Sequence, residues 1–201
     1  STNPYFVINI MEKIGILDIL FEKKVETKFF KKLLSIEKKN SMTTDQTLRF
    51  VSLAPNANKN HLSELKMFNF SKKDKKKLLL LTNQEFKIDN KMKDNDIKRI
   101  LYSIDKKLFI DLAVLSWVLS ANKTLNKDWK SIISQISKLN SPIFPLKADD
   151  LLSFGLKEGP IIGEIFSEIE KEWIESNFEI NREELLQKSK AIIDTKSHNI
   201  S

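Results

Sequence analysis

Apolar side chains recur along most of this chain every three or four positions, and no segment alternates apolar and polar residues for long. Spacing of that kind puts side chains on one stripe of a helix, so the pattern predicts helices from end to end. Asn3-Pro4 opens the first, a capping side chain followed by proline at the first helical position. Phe6, Val7, Ile10, Met11 and Ile14 follow at helical spacing, and Gly15 offers a left-handed stop. A short helix around Leu17–Leu20 comes next. From Val25 onward, Phe29, Phe30, Leu33 and Leu34 are expected to be buried with lysines on the opposite face. Ser41 to Thr44 makes a polar break, after which Leu48, Val51 and Ala54 mark a helix that Pro55 follows.

His61 to Phe68 reads as a helix on Leu62, Leu65 and Phe68. Ser71 with Asp74 resembles a capping box, opening a helix that runs through Lys75-Lys76-Lys77 into Leu78–Leu81. Residues 83–93 are polar and predict a loop. Ile97, Ile100, Leu101 and Ile104 form the next amphipathic pattern. Leu108–Leu119 is apolar nearly all round and should be the centre of the body. Trp129, Ile132, Ile133, Ile136 and Leu139 form one more stripe. Pro142 and Pro145 then forbid a continuing helix, and the charge sign flips soon after. A boundary here separates a helical body, 1–140, from a helical tail, 141–201. The tail should hold a short helix at Asp149–Phe154, one from Pro160 to about Ser176, and a last one from Arg182. Asn181 caps that last helix, with Glu183 and Glu184 in its first turn.

Composition narrows the class to all-α, a multi-helix array followed by a small helical tail. Four glycines and five prolines are too few turn residues for an all-β chain of 201 residues, while 41% apolar residues can fill a core. The absence of cysteine excludes disulfides, thiolate zinc sites and cysteine nucleophiles. Net charge is +7, yet residues 151–201 carry ten acidic and six basic side chains, which leaves +11 on residues 1–150. A basic body with an acidic tail suggests a polyanionic partner, nucleic acid first. Codon composition competes with that explanation, since 31 of the 34 basic residues are lysine and isoleucine and asparagine abound. The longest apolar stretch, Leu108–Leu119, is too short for about 30 Å of hydrocarbon and contains Asp111, so no membrane partner is expected. The chain shows no basic-then-apolar leader, which fits a cytoplasmic protein, and its opening without methionine points to part of something longer.

Few constellations could carry chemistry. Asp94-Asn95-Asp96 has the D-x-D spacing of a two-metal nucleotidyl transfer site, but no glycine-rich turn or strand accompanies it. Acids at a helix start explain it better, and Asp149-Asp150 likewise. His61 and His198 have no partners at a useful spacing. No catalytic or metal-binding residue is therefore nominated. Lys72, Lys73 and Lys76 in the lysine cluster are candidate phosphate contacts, with a solvated helix face as the alternative. The informative stretch is Leu151 to Gly163. Gly155 can end one helix, Gly159-Pro160 can start the next, and Gly163 lets a helix or a ligand approach closely. Free N–H groups at that start, with Lys157 beside it and Lys147 upstream, make a backbone-phosphate site. A tight helix–helix corner without a ligand remains the alternative.

Several segments resemble the C-terminal part of bacterial CCA-adding enzymes, tRNA nucleotidyltransferases of the poly(A) polymerase family. They are Pro142-Ile143-Phe144-Pro145-Leu146, Asp150-Leu151-Leu152 with Gly155-Leu156, and Gly159-Pro160 with Gly163. Ile169-Glu170-Lys171-Glu172-Trp173-Ile174 and Arg182-Glu183-Glu184-Leu185-Leu186 are also similar, as is Asn3-Pro4 followed by Met11-Glu12-Lys13-Ile14-Gly15-Ile16-Leu17. Leu48-Arg49-Phe50-Val51 and Leu53-Ala54-Pro55 match more loosely. The glycine-rich turn and metal-binding carboxylates of the family's head, and the nucleotide-templating motif of its neck, have no counterpart here. The resemblance therefore implies a non-catalytic, tRNA-binding body and tail, inactive alone, with head and neck upstream as partners. Mg2+ with CTP and ATP would serve only the complete enzyme. A stand-alone helix-hairpin-helix-like nucleic-acid module and a helical protein-interaction domain are the alternatives.

Overall fold

The structure is a computed structural model that describes residues 4–22, 24–43, 45–55, 69–83, 85–156 and 159–198. It is all-helical, with eleven helices and no strand among those residues. In chain order they are α1 (Pro4–Lys13), α2 (Ile16–Leu20), α3 (Lys28–Lys39), α4 (Gln46–Leu53), α5 (Lys72–Thr82) and α6 (Asp94–Ser103). Then come α7 (Lys106–Leu119), α8 (Lys127–Lys138), α9 (Ala148–Leu152), α10 (Pro160–Glu175) and α11 (Arg182–His198). The expected helix at His61–Phe68, the Asn3 cap and Lys157 lie outside the described residues. The chain forms two compact units, one of Ser1–Asp94 with Ile104–Leu139, the other of Asn95–Ser103 with Asn140–Ser201. No helix among the described residues is long and apolar enough to cross a membrane.

In the first unit α7 is the central element, as its pattern predicts. Phe109, Ala113, Trp117 and Val118 are fully enclosed, and α3, α4, α5 and α8 all pack on it. Local chemistry starts the helices around it. Asp45, Ser71, Asp105 and Asn126 each accept a hydrogen bond from the N–H three residues on, satisfying one donor of each first turn. At Ser71 the capping box is altered, because Asp74 receives the serine hydroxyl (2.6 Å). In α3 the buried side chains are Phe30, Leu33, Ile36 and Glu37, whereas Phe29 and Leu34 are only half-buried. Glu37 is an acid on the inner face because Arg49 reaches it from α4 at 2.7 Å.

The first helix departs from its pattern in a different way. It forms, and Gly15 ends it at φ 76° as expected, but Phe6, Val7, Ile10 and Ile14 are exposed. Tyr5, Ile8 and Met11 form the inner face instead, packed with Leu17, Phe21 and Val25. The segment is apolar on both faces, so spacing alone does not select which one the core takes.

In the second unit Leu151, Ile165, Ile169, Trp173 and Leu185 are buried together. α6 joins them through Tyr102, whose ring meets Trp173 and Phe178 and whose hydroxyl donates to Glu170. Burial and that carboxylate push the Tyr102 phenol well above its ordinary value. Gly155 ends α9 at φ 87°, a backbone that L side chains rarely adopt. Asn181 caps α11 through the Glu184 N–H (3.0 Å).

Candidate functional site

Helices α4, α5 and α7 begin around one cavity of about 460 Å³ in the first unit. The second residue of each helix, Thr47, Lys73 and Lys107, lines it. So do the capping carboxylates Asp45 and Asp105, and Asp74 of the α5 cap. Lys76, Lys77 and Asp111 complete the charged lining, with Leu80 and Leu108 as apolar wall. The first two N–H groups of a helix have no intrahelical acceptor, so three positive helix ends open on this volume.

Lys77 is the charge the others are arranged around. It lies 2.7 Å from Asp45 and 2.6 Å from Asp111, and all three side chains are largely buried. Burial alone would lower the Lys77 pKa, but hydrogen bonds and charge from Asp111 and Asp45 outweigh it and hold it above 10.5. Burial likewise pulls Asp45 upward, but Lys77 and the Leu48 N–H bring it below the ordinary carboxylate value. For Asp111 burial dominates, and its carboxyl is raised despite Lys77. Three carboxylates of the lining accept hydrogen bonds, Asp45 and Asp105 from their capped N–H groups and Asp74 from the Ser71 hydroxyl, while Asp111 is ion-paired with Lys77. Lys73, Lys76 and Lys107 are exposed at the rim and make no ion pair or hydrogen bond among the described residues. The arrangement favours an anion over a metal, and among the described residues no group of three acids or histidines could hold one.

Of the residues expected to touch RNA, Lys73 and Lys76 line this cavity and Lys72 is exposed at the first position of α5. Gly159, Gly163 and Lys147 belong to the second unit. Gly159 precedes α10 in extended backbone, and Pro160 supplies no N–H. Ile162 N–H turns back to the Gly159 carbonyl (3.2 Å), which takes a further first-turn donor away from any ligand. A Cβ at Gly163 would meet nothing within 4 Å, so no helix packs against this glycine. With Ala148, the neighbour of Lys147, Gly163 lines a shallow hollow of about 350 Å³ that also includes Glu170. Lys147 is exposed, and its N–H donates to Asp150 at 2.7 Å. Asp150 in turn binds Arg182 (2.5 Å), giving this acid a structural task.

Asp94 and Asp96 occupy the first turn of α6, the helix-start position expected of them. His61 lies outside the described residues. The sequence pattern does not single out Thr47, Lys77, Lys107, Asp45, Asp105 or Asp111. Their one legible signal is that Asp45 and Asp105 stand three residues before a helix's first inward leucine. No family model matches the chain, and a comparison with curated proteins finds no match either.

Proposed function

We propose that this chain is a non-catalytic, tRNA-gripping part of a tRNA nucleotidyltransferase, its helical body and tail. The observation that carries this is the start of α5, where Lys72, Lys73, Lys75 and Lys76 are exposed within five residues and have no carboxylate partner among the described residues. Lysines at a helix N-terminus add to the positive end of the dipole, which costs local stability unless an anion faces them. Codon composition explains lysine number but not this placement. The resemblance of the Pro142–Leu186 stretch to CCA-adding enzymes supplies tRNA as the polyanion. Under the same reading, the exposed Phe6, Val7, Ile10 and Ile14 are the surface on which the preceding neck would pack.

Titration of a labelled tRNA over a salt series tests this. Affinity should fall steeply with salt, and each of Lys72→Gln, Lys73→Gln and Lys76→Gln should reduce the slope by about one unit. Double-stranded DNA of equal length should compete less well. Incubation with tRNA lacking its 3′ end, Mg2+, CTP and ATP should leave the RNA length unchanged. Binding indifferent to salt, or to these lysines, would replace this reading with a protein-interaction domain built on the exposed α1 face.

A further inference from the structure

We infer that the cavity between the starts of α4, α5 and α7 is a binding site for a phosphate monoester, a phosphate group carrying three unesterified oxygens. This goes beyond a backbone grip, because such a ligand fills the cavity without a polymer running through it.

The charge balance decides the sign of the ligand. Four lysines and four aspartates line the volume, and on those alone it is neutral. Three helix starts add roughly half a charge each, which leaves an excess of roughly +1.5. That excess suits a dianion. The depth of the site decides how many oxygens it can meet. Thr47 and Leu108 are buried at the inner end, while Lys73, Lys76 and Lys107 are exposed at the mouth. A diester in a running strand has two free oxygens and must enter and leave the cavity, whereas a monoester presents three and needs one exit.

Thr47 points independently to a ligand. It is 5% exposed, it lines the cavity, and its hydroxyl has no hydrogen-bond partner among the described residues. The hydroxyl oxygen itself is not sealed from solvent, so it opens on the cavity and is available to donate to a ligand oxygen there. At the second position of α4 the hydroxyl stands beside its own uncapped main-chain N–H, two donors suited to one phosphate oxygen. Lys73 and Lys107 hold the equivalent positions on the other two helices and bring a side-chain ammonium where Thr47 brings a hydroxyl. Lys77 stays with Asp45 and Asp111, filling the position between the carboxylates that a cation would otherwise take.

The test uses the whole chain and thermal melting at fixed ionic strength, with sodium chloride exchanged stepwise for inorganic phosphate. A saturable rise in melting temperature is expected. Thr47→Val and Lys107→Gln should each move its midpoint at least tenfold to higher phosphate. Thr47→Val removes a hydroxyl without a partner and should melt like the parent in phosphate-free buffer. If it does not, the exposed Lys107→Gln variant decides alone. A rise no larger than chloride gives, or an unchanged midpoint in Lys107→Gln, overturns the site. Two further arms identify the source of the phosphate: a nucleoside 5′-monophosphate, and a short RNA with and without a terminal phosphate. Displacement of inorganic phosphate by the nucleotide assigns a small ligand. Displacement only by the phosphorylated RNA end assigns a polymer terminus, and either supports the site. RNA binding that persists, blind to the terminal phosphate and unaffected by Lys107→Gln, overturns the site and leaves the RNA grip standing. A phosphate-dependent rise without RNA binding does the reverse.

Discussion

At the cavity of the first unit, four lysines and three helix starts face one volume, and every carboxylate there is already engaged. At the start of α10 in the second unit, proline removes one main-chain donor and the Gly159 carbonyl takes another, and five glutamates follow along the helix. The sequence makes the second region look more like a phosphate site, because glycine, proline and a helix start lie within a few residues of one another. The structure makes the first region richer, because its parts come from three separate helices. A site assembled by tertiary contact collects charge that no local motif announces. Conversely, a local motif can be complete and still leave few donors available.

The largest expected effect separates the two regions by stability. Lys77→Met leaves Asp45 and Asp111 largely buried and unpaired, and should cost about 3 kcal/mol in chemical denaturation. Adding Asp111→Leu to that variant should recover a large part of the loss, since a buried charge is then removed with its partner. The pH dependence carries a sign. The raised pKa of Lys77 means its contribution is complete below 10.5 and is lost as pH climbs through the raised value. The lowered pKa of Asp45 contributes above 3.8 and is lost as pH falls through the lowered value. Asp111 acts in the opposite sense, its raised pKa favouring the fold at acid pH and taking stability away once it ionises. In the Lys77→Met variant the alkaline loss should disappear, as melting between neutral pH and about pH 11 will show.

A smaller effect is expected at Gly155, where φ is 87°. Gly155→Ala should cost about 1–2 kcal/mol, the penalty of a side chain in the left-handed region, and leave the tRNA affinity of the folded protein unchanged. The smallest is at Gly163. A methyl group there has open space, so Gly163→Ala should stabilise α10 by about 0.5–1 kcal/mol. A weaker tRNA affinity in that more stable variant would put a phosphate over the glycine. If Gly163→Ala weakened tRNA binding more than Lys73→Gln, the contrast between the two regions would reverse.

Much of the local architecture is legible in the sequence because caps and breakers act within a few residues. Ser71, Asn181, Gly15, Gly155 and Pro160 each stand where the sequence puts a start or a stop. Choices that depend on distant partners are not legible in this way. In α3 Leu34 is half-buried against the Leu17–Phe21–Phe30 cluster, while Ile36 and the Arg49-paired Glu37 are enclosed. The outer face of α1 is as apolar as the inner one, so pattern alone carries no preference. Lys77 is one letter in a run of lysines, and only folding sets it apart from Lys75 and Lys76 by burying it between two acids. Likewise, nothing near Thr47 in sequence shows that two other helices begin beside it.

The membership of α6 in the second unit has a consequence for how the protein is made. The helix leaves the ribosome well before the segment it packs with, since residues 104–139 belong to the other unit. Trp173 and Phe178, which receive Tyr102, follow it by about seventy residues. At about 5–20 residues per second, the apolar side of α6 waits on the order of several seconds for its partners. During that interval Ile97, Leu101 and Tyr102 are available to a chaperone or to a neighbouring nascent chain. A fragment beginning at Asn140 would carry the complementary vacancy permanently, so dividing this gene at the proline break yields two products that each lack part of a core.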